Sequence, residues 1–409
     1  MQKLLIIIAI LLLLLTACNK QEPNQSASSS LSEASIASSA NTIVYEPNIS
    51  DIKHQGTESE ENESNINKDT WHMNNLIDYL YESPKYSIIS SELIDTYFIA
   101  CGIYFGFQGD YLFCDDMNID YRDTINYFET YKNHEFVMKL GTYLDTENQY
   151  AAMNILYSLP QYVITGAIIE EDADFSLFLD ELYQFYIDSK ATVFFQKSNL
   201  HKELNKYIYE DISSVPVSEL FAEMEEYTGN KTKVFGNNDV HYYSVISIYK
   251  SPYNATFHYY QVDDKFYIIS FQSPLGFNGE LNISQTIETA IHESLHLFIN
   301  PCVEANRSMI DTLAQYKNTS DFTSQLYINM PWYRITDEAI VRVVQARIYG
   351  ALYNDYDRAF RQILEKEIQS GFVNLEAMFN SLKTYEQERN QYKTIEDFSI
   401  ILMQNYLNE

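Results

Sequence analysis

The chain is short of positive charge. Its 409 residues carry 27 Lys and Arg against 57 Asp and Glu, a formal net charge of −30. Phosphate backbones and anionic lipid headgroups would repel such a surface, so nucleic acid is excluded as a partner and the acidic coat is read as solubilising. It is also short of cysteine, with 4 in the whole chain, too few for a disulfide framework. Cys101 and Cys114 flank a glycine-containing stretch (Gly102, Gly106, Gly109) and could close a short loop, while Cys302 reads as a buried free thiol. After the first eighteen residues no stretch is apolar enough to span a bilayer, and no internal repeat is visible.

What is present divides into three parts. Lys3 supplies a positive start, Leu4 to Leu15 an apolar run, and Leu15-Thr16-Ala17-Cys18 a small-residue cleavage site ending in cysteine. Residues 19–70 are rich in Ser, Asn, Glu and Gln, as in Ser28-Ser29-Ser30 and Glu58-Ser59-Glu60-Glu61. They have too little apolar surface to offset the entropy of ordering and read as a tether. From Trp71 to the C-terminus the composition is that of a packed domain, with 46% hydrophobic and 15% aromatic residues overall. Within it, 71–232 reads as mainly helical, 233–300 as a sheet followed by a helix, and 301–409 as helical again.

The helical reading of the first part rests on Met73–Glu82, Asp123–Lys132, Glu147–Leu159 and Phe175–Ile187, which have 3.6-residue periodicity. The aromatic run Phe175, Phe178, Leu182, Phe185, Tyr186, Phe194 and Phe195 reads as core. Around Val234 the period changes. His241–Lys250, Ala255–Val262 and Lys265–Gln272 are rich in Tyr, Val, Ile and Phe and read as a small antiparallel sheet. His258, Tyr259 and Tyr260 there are either oxyanion donors or packing residues, packing being the simpler role.

The chemistry is concentrated in Ile291-His292-Glu293-Ser294-Leu295-His296, an HExxH motif. In a helix, four residues leave the two histidines about 40° apart and one turn from each other, so both imidazoles can reach one zinc ion. Glu293 is then placed to accept a proton from a zinc-activated water. Chance puts HExxH in roughly 1% of chains of this composition, so context matters. Here Ile287, Ile291, Leu295, Phe298 and Ile299 form a packing stripe at helical spacing, with Ser284 as N-cap and Pro301 as the expected stop. His134-Glu135 begins a similar pattern but has Met138 where histidine is needed.

A hydrolytic zinc site takes three protein ligands plus water. HExxHxxGxxH is excluded, because Ile299 and Cys302 stand at its glycine and third histidine positions. Glu304 lies beyond Pro301, whereas Glu338 begins a second, mostly apolar helix from a Thr336 cap to a Gly350 stop. Glu338 is therefore the preferred third ligand. Arg342, one turn on, reads as its ion-pair partner.

Three resemblances follow from these residues. The cleavage site resembles the lipobox of bacterial lipoproteins, which implies lipidation at Cys18 and an anchor in the bacterial cell membrane facing outside the cytoplasm. HExxH with a glutamate on a following helix resembles the gluzincin metallopeptidases. The run His292–Pro301 with Asp337–Arg342, the tail from Gly371-Phe372 through Tyr385–Tyr392 to Glu396-Asp397-Phe398, and the upstream Phe185-Tyr186…Phe194-Phe195 look like an exported bacterial family known only as a domain of unknown function. These imply an α+β, mainly helical, zincin-like domain with His292, His296 and Glu338 on zinc and Glu293 as general base. The expected activity is hydrolysis of peptide or protein substrates. The rival expectation is a non-catalytic surface lipoprotein with a structural or degenerate zinc site, for which Cys302 would be the natural closing ligand.

Overall fold

A computed structural model describes residues 77–106, 121–144, 149–166, 173–212, 215–250, 256–262, 264–275, 280–323, 327–328 and 330–408. Cys18, the 19–70 segment and Cys114 lie outside the described residues.

One sheet of five strands, in the order β1-β2-β3-β5-β4, forms the floor beneath the motif. Its strands are β1 (Ile77–Glu82), β2 (Tyr86–Ser91), β3 (Asp239–Ile246), β4 (Thr256–Val262) and β5 (Lys265–Gln272). β1 and β4 are the antiparallel edges, while β2, β3 and β5 run parallel to one another. The sheet is therefore mixed, which corrects the expectation of an antiparallel one. Central parallel strands need cover on both faces, and β2 is buried at every residue.

The expected helix over Met73–Glu82 is also corrected. Its 77–82 portion is β1, paired to β2 with an irregularity between Tyr79 and Tyr81. Ile77, Leu80 and Tyr81 mimic helical spacing, but hydrogen bonding to the fully buried β2 decides the conformation. The other three segments are helical, as Arg122–Phe128 with a 3-10 turn to Tyr131, Gln149–Thr165 and Ala173–Asp188. The aromatic run is core, each member at most 8% exposed.

Two long helices carry the site. The motif helix, Ile283–Ala305, starts one residue before Ser284 because Asn282 is the cap, its side chain accepting from Gln285 N at 2.9 Å. It does not stop at Pro301. Proline removes one backbone donor there, but it faces solvent, and continuing the helix buries Cys302 and Val303 in line with Phe298 and Ile299. Cys302 donates its thiol proton to the Phe298 carbonyl at 3.3 Å.

The partner helix, Trp332–Tyr353, begins a turn earlier than its Thr336 signal, with Pro331 as N-cap, and Thr336 is fully buried inside it. The early start buries Tyr333 and Ile335. Gly350 is not the stop either. Asn354, in the left-handed region at φ 50°, ends the helix, and Gly350 admits Tyr356, whose Cδ1 would lie 2.3 Å from an added Cβ. Gln345 Nε2 on this helix donates to the Glu288 carbonyl (2.8 Å), and Gln272 Nε2 at the end of β5 donates to the Thr286 carbonyl (2.9 Å). The motif helix is thus pinned from both sides one to two turns before His292.

The C-terminal helices Leu375–Gln387 and Ile395–Leu407 close the core behind the partner helix, the second starting at a Thr394/Asp397 capping box. The first continues through the polar residues Lys383, Thr384, Glu386 and Gln387. Glu386 meets Arg347, a guanidinium with only 2% side-chain exposure that also lies over the Tyr356 and Phe379 rings. Among the described residues no helix is long and apolar enough to cross a membrane.

Candidate metal centre

The stripe Ile287, Ile291, Leu295, Phe298 and Ile299 is buried, and the side of the motif helix about 100° round from it faces the partner helix. His292 and His296 sit on that side, half-buried, with ring centroids 5.0 Å apart and planes at 85°. Glu338, in the second turn of the partner helix, closes the group. Its Oε2 is 3.4 Å from His292 Nε2 and its Oε1 is 3.6 Å from His296 Nε2. One ligand atom from each of the three lies within 4.8 Å of the others.

These separations discriminate between readings. They are long for good N–H···O hydrogen bonds, whose usual span is about 2.7–3.2 Å. A tetrahedral ion with bonds of about 2.0–2.1 Å has ligand atoms about 3.3–3.4 Å apart. Each imidazole nitrogen stands near that distance from a carboxylate oxygen, and with three-quarters or more of each side chain covered (16%, 14% and 24% exposed) the three donors fit a divalent cation.

The surrounding groups prepare this donor set. Burial alone would keep the Glu338 carboxyl neutral, but the Arg342 guanidinium and the two imidazoles override it and hold the carboxyl far below the usual carboxylate range. Arg342 donates from Nη1 to Glu338 Oε2 at 2.8 Å, the expected i,i+4 pair. It also donates from Nη2 to Tyr327 OH at 2.8 Å, and its Nε is 3.2 Å from Glu367 Oε2, within ion-pair range though poorly aligned for a hydrogen bond.

His296 has an orienting carboxylate that the sequence reading did not single out. Asp337 Oδ2 lies 3.0 Å from His296 Nδ1. Asn300, one turn past His296, donates from its amide nitrogen to both Asp337 oxygens at 2.7 Å. The opposite amide orientation would turn its oxygen toward the two Asp337 carboxylate oxygens. Residues 337 and 338 are about 100° apart around the partner helix, so one acid reaches the Nδ1 side of the ring and the next the Nε2 side. Burial disfavours the His296 cation, but Asp337, then Glu338 and Glu293, prevail and push its pKa up to about 10. A bound cation must displace that proton, while the Asp337 bond keeps Nδ1 protonated and the Nε2 lone pair aimed at the cluster. The adjacent Asp-Glu pair was the only signal in the sequence. Asp337→Asn is expected to weaken zinc affinity about 10–100-fold with the fold retained, measured by competition against a chromophoric chelator.

The other candidates fall elsewhere. Glu304 is exposed and 3.4 Å from Arg307 Nη1, outside the cluster. Cys302 is a buried thiol whose pKa burial pushes up to about 12. Cys101 is likewise a buried free thiol. His258 stacks on Tyr157 (5.2 Å, 27°) and burial lowers it to about 4, while Tyr260 stacks on Tyr267 (5.0 Å, 5°), so packing accounts for both rings. Tyr259 is 44% exposed. His134 caps the Glu135–Tyr143 helix.

The chain belongs to the family described as a domain of unknown function (DUF4932), matched over residues 99–404. No curated protein and no solved structure matches it.

Proposed function

We infer that the protein is a zinc-dependent hydrolase of peptide bonds with a zincin-like catalytic domain, held by lipid at Cys18 on the outer side of a bacterial cell membrane. The observation that carries this reading is the convergence of His292 Nε2, His296 Nε2 and the Glu338 carboxylate, with Glu293 between the two imidazoles in sequence. A purely structural ion has no use for Glu293. The anchor is supported by the Leu15-Thr16-Ala17-Cys18 pattern.

His292, His296 and Glu338 would hold the zinc, which when bound supplies an acidified water and a polarised carbonyl. Glu293, half-buried beside the ligands, takes the proton from the attacking water and passes it to the leaving amine as the C–N bond breaks. Asp337 keeps His296 in one tautomer, and Asn300 holds the Asp337 carboxylate in place. Arg342 keeps Glu338 ionised, and the close-packed pair of helices fixes the angle between the donors.

The test is metal analysis of purified protein followed by digestion of a mixed peptide pool with and without chelator. One zinc per chain and cleavage that stops on chelation and returns on zinc addition are expected. One zinc per chain with no chelator-sensitive cleavage would replace the hydrolase with a non-catalytic surface lipoprotein stabilised by its ion.

A further inference from the structure

The surroundings of Glu338 treat its two oxygens differently. Oε1 faces His296 Nε2 at 3.6 Å and accepts no hydrogen bond among the described residues. Oε2 stands 3.4 Å from His292 Nε2 and accepts from Arg342 Nη1 at 2.8 Å. The same guanidinium nitrogen is 3.4 Å from His292 Nδ1 and 3.3 Å from its Nε2, so it stands against both the imidazole and Oε2. Arg342 cannot turn away. Its Nη2 donates to Tyr327 OH at 2.8 Å, its Nε is 3.2 Å from Glu367 Oε2 on the short helix Glu365–Gln369, and its guanidinium carbon lies 5.5 Å from the centroid of the Phe372 ring. Only Nη1 is left to point at the cluster.

An ordinary i,i+4 pair needs none of these anchors. Charge balance does not explain them either. Once a divalent cation lies between the imidazoles and Glu338, the carboxylate has its counter-charge, and a second buried cation beside it adds repulsion. The placement is explained by steering. An ion drawn toward Oε2 would be pressed against the fixed guanidinium, whereas the Oε1 side carries no such group.

We propose that Arg342 is a positioning residue of the metal centre, which by occupying Oε2 makes Glu338 bind the ion through Oε1 alone. Its use in catalysis rests on the hydrolase reading above. If Glu338 bound through both oxygens, it and the two imidazoles would supply four donors, and a water would make a fifth. Held to one oxygen, Glu338 leaves room for water as the fourth donor and a place for the substrate carbonyl beside it. Arg342 neither gains nor loses an atom. It fixes how the carboxylate is presented, while Glu293 moves the proton.

The test loads full-length wild type, Arg342→Met and Arg342→Lys with cobalt(II), whose visible absorption is intense in four-coordinate sites and weak in five-coordinate ones. Turnover of the peptide pool is measured on the zinc forms of the same proteins. Wild type should hold one cobalt per chain with the four-coordinate spectrum. In Arg342→Met we expect cobalt retained, the intense band lost and turnover reduced about 10–100-fold. Arg342→Lys, which keeps one charged donor, recovers part of both. A five-coordinate spectrum in wild type, a four-coordinate one in Arg342→Met, or a wild type that takes up no cobalt overturns the proposal. A changed spectrum with wild-type turnover supports the one-oxygen ligation and overturns its use in catalysis. If zinc-loaded wild type cleaves nothing, the hydrolase reading fails and the cobalt spectra alone decide how Glu338 binds. Should Arg342→Met not fold, Arg342→Met/Glu367→Gln, which removes the guanidinium together with its second acid, is compared with Glu367→Gln for the same band.

Discussion

Glu293→Gln is expected to bind zinc as wild type does and to hydrolyse the peptide pool about 10²–10⁴-fold more slowly, the range for a positioned general base. Glutamine has almost the same shape, so the half-buried environment beside His292 and His296 is preserved and the ligands are untouched. It cannot accept a proton from water. Metal content and initial rates measured on the same preparation separate the two effects. Normal zinc with near-wild-type turnover would move the base to another residue.

Glu338→Ala combines the other large effects. It removes one of the three donors, so zinc should be lost on dialysis against a weak chelator. It also leaves Arg342, whose side chain is 14% exposed, without its closest acid. Removing one partner of a buried pair costs about 3–5 kcal/mol, and the lower end applies because Glu367 remains at 3.2 Å. The pH dependence has a definite sign. The folded-state pKa of Glu338 is depressed below its ordinary 4.5, so its contribution is fully present above that value. It is lost as pH falls through the depressed value. In chelator-treated samples the melting temperatures of wild type and variant should therefore differ most near neutrality and converge only well below pH 4.5. Stoichiometric zinc of wild-type affinity in Glu338→Ala would eliminate Glu338 as a ligand.

The parts of this architecture that were legible in the sequence are those set by local spacing. Two histidines four apart in an apolar-striped helix, and Glu338 four before Arg342, follow from helical geometry alone. The β3, β4 and β5 segments were visible for the same reason, since β-branched and aromatic residues with turn residues between them act locally, whereas β1 was read as helix and β2 was not read. Topology was not legible. The pairing of β2 with β3 in parallel joins segments separated by the whole helical part of the chain, and nothing near Tyr86 announces its partner. Pro301 misled because its local penalty was visible while the burial of Cys302 and Val303 was not. Asp337 was hidden because it acts through a group on another element, His296.

The family match begins at residue 99, yet β1 and β2 lie before it. β2 supplies five paired positions to β3, from Tyr86↔Tyr242 to Ser90↔Ile246. A fragment trimmed to the matched region would leave the β3 backbone groups open along that side, a template for strand addition between copies. Recombinant versions should therefore keep the chain from Ile77 onward, and a precipitating shorter version would reflect a missing strand rather than an unstable metal centre.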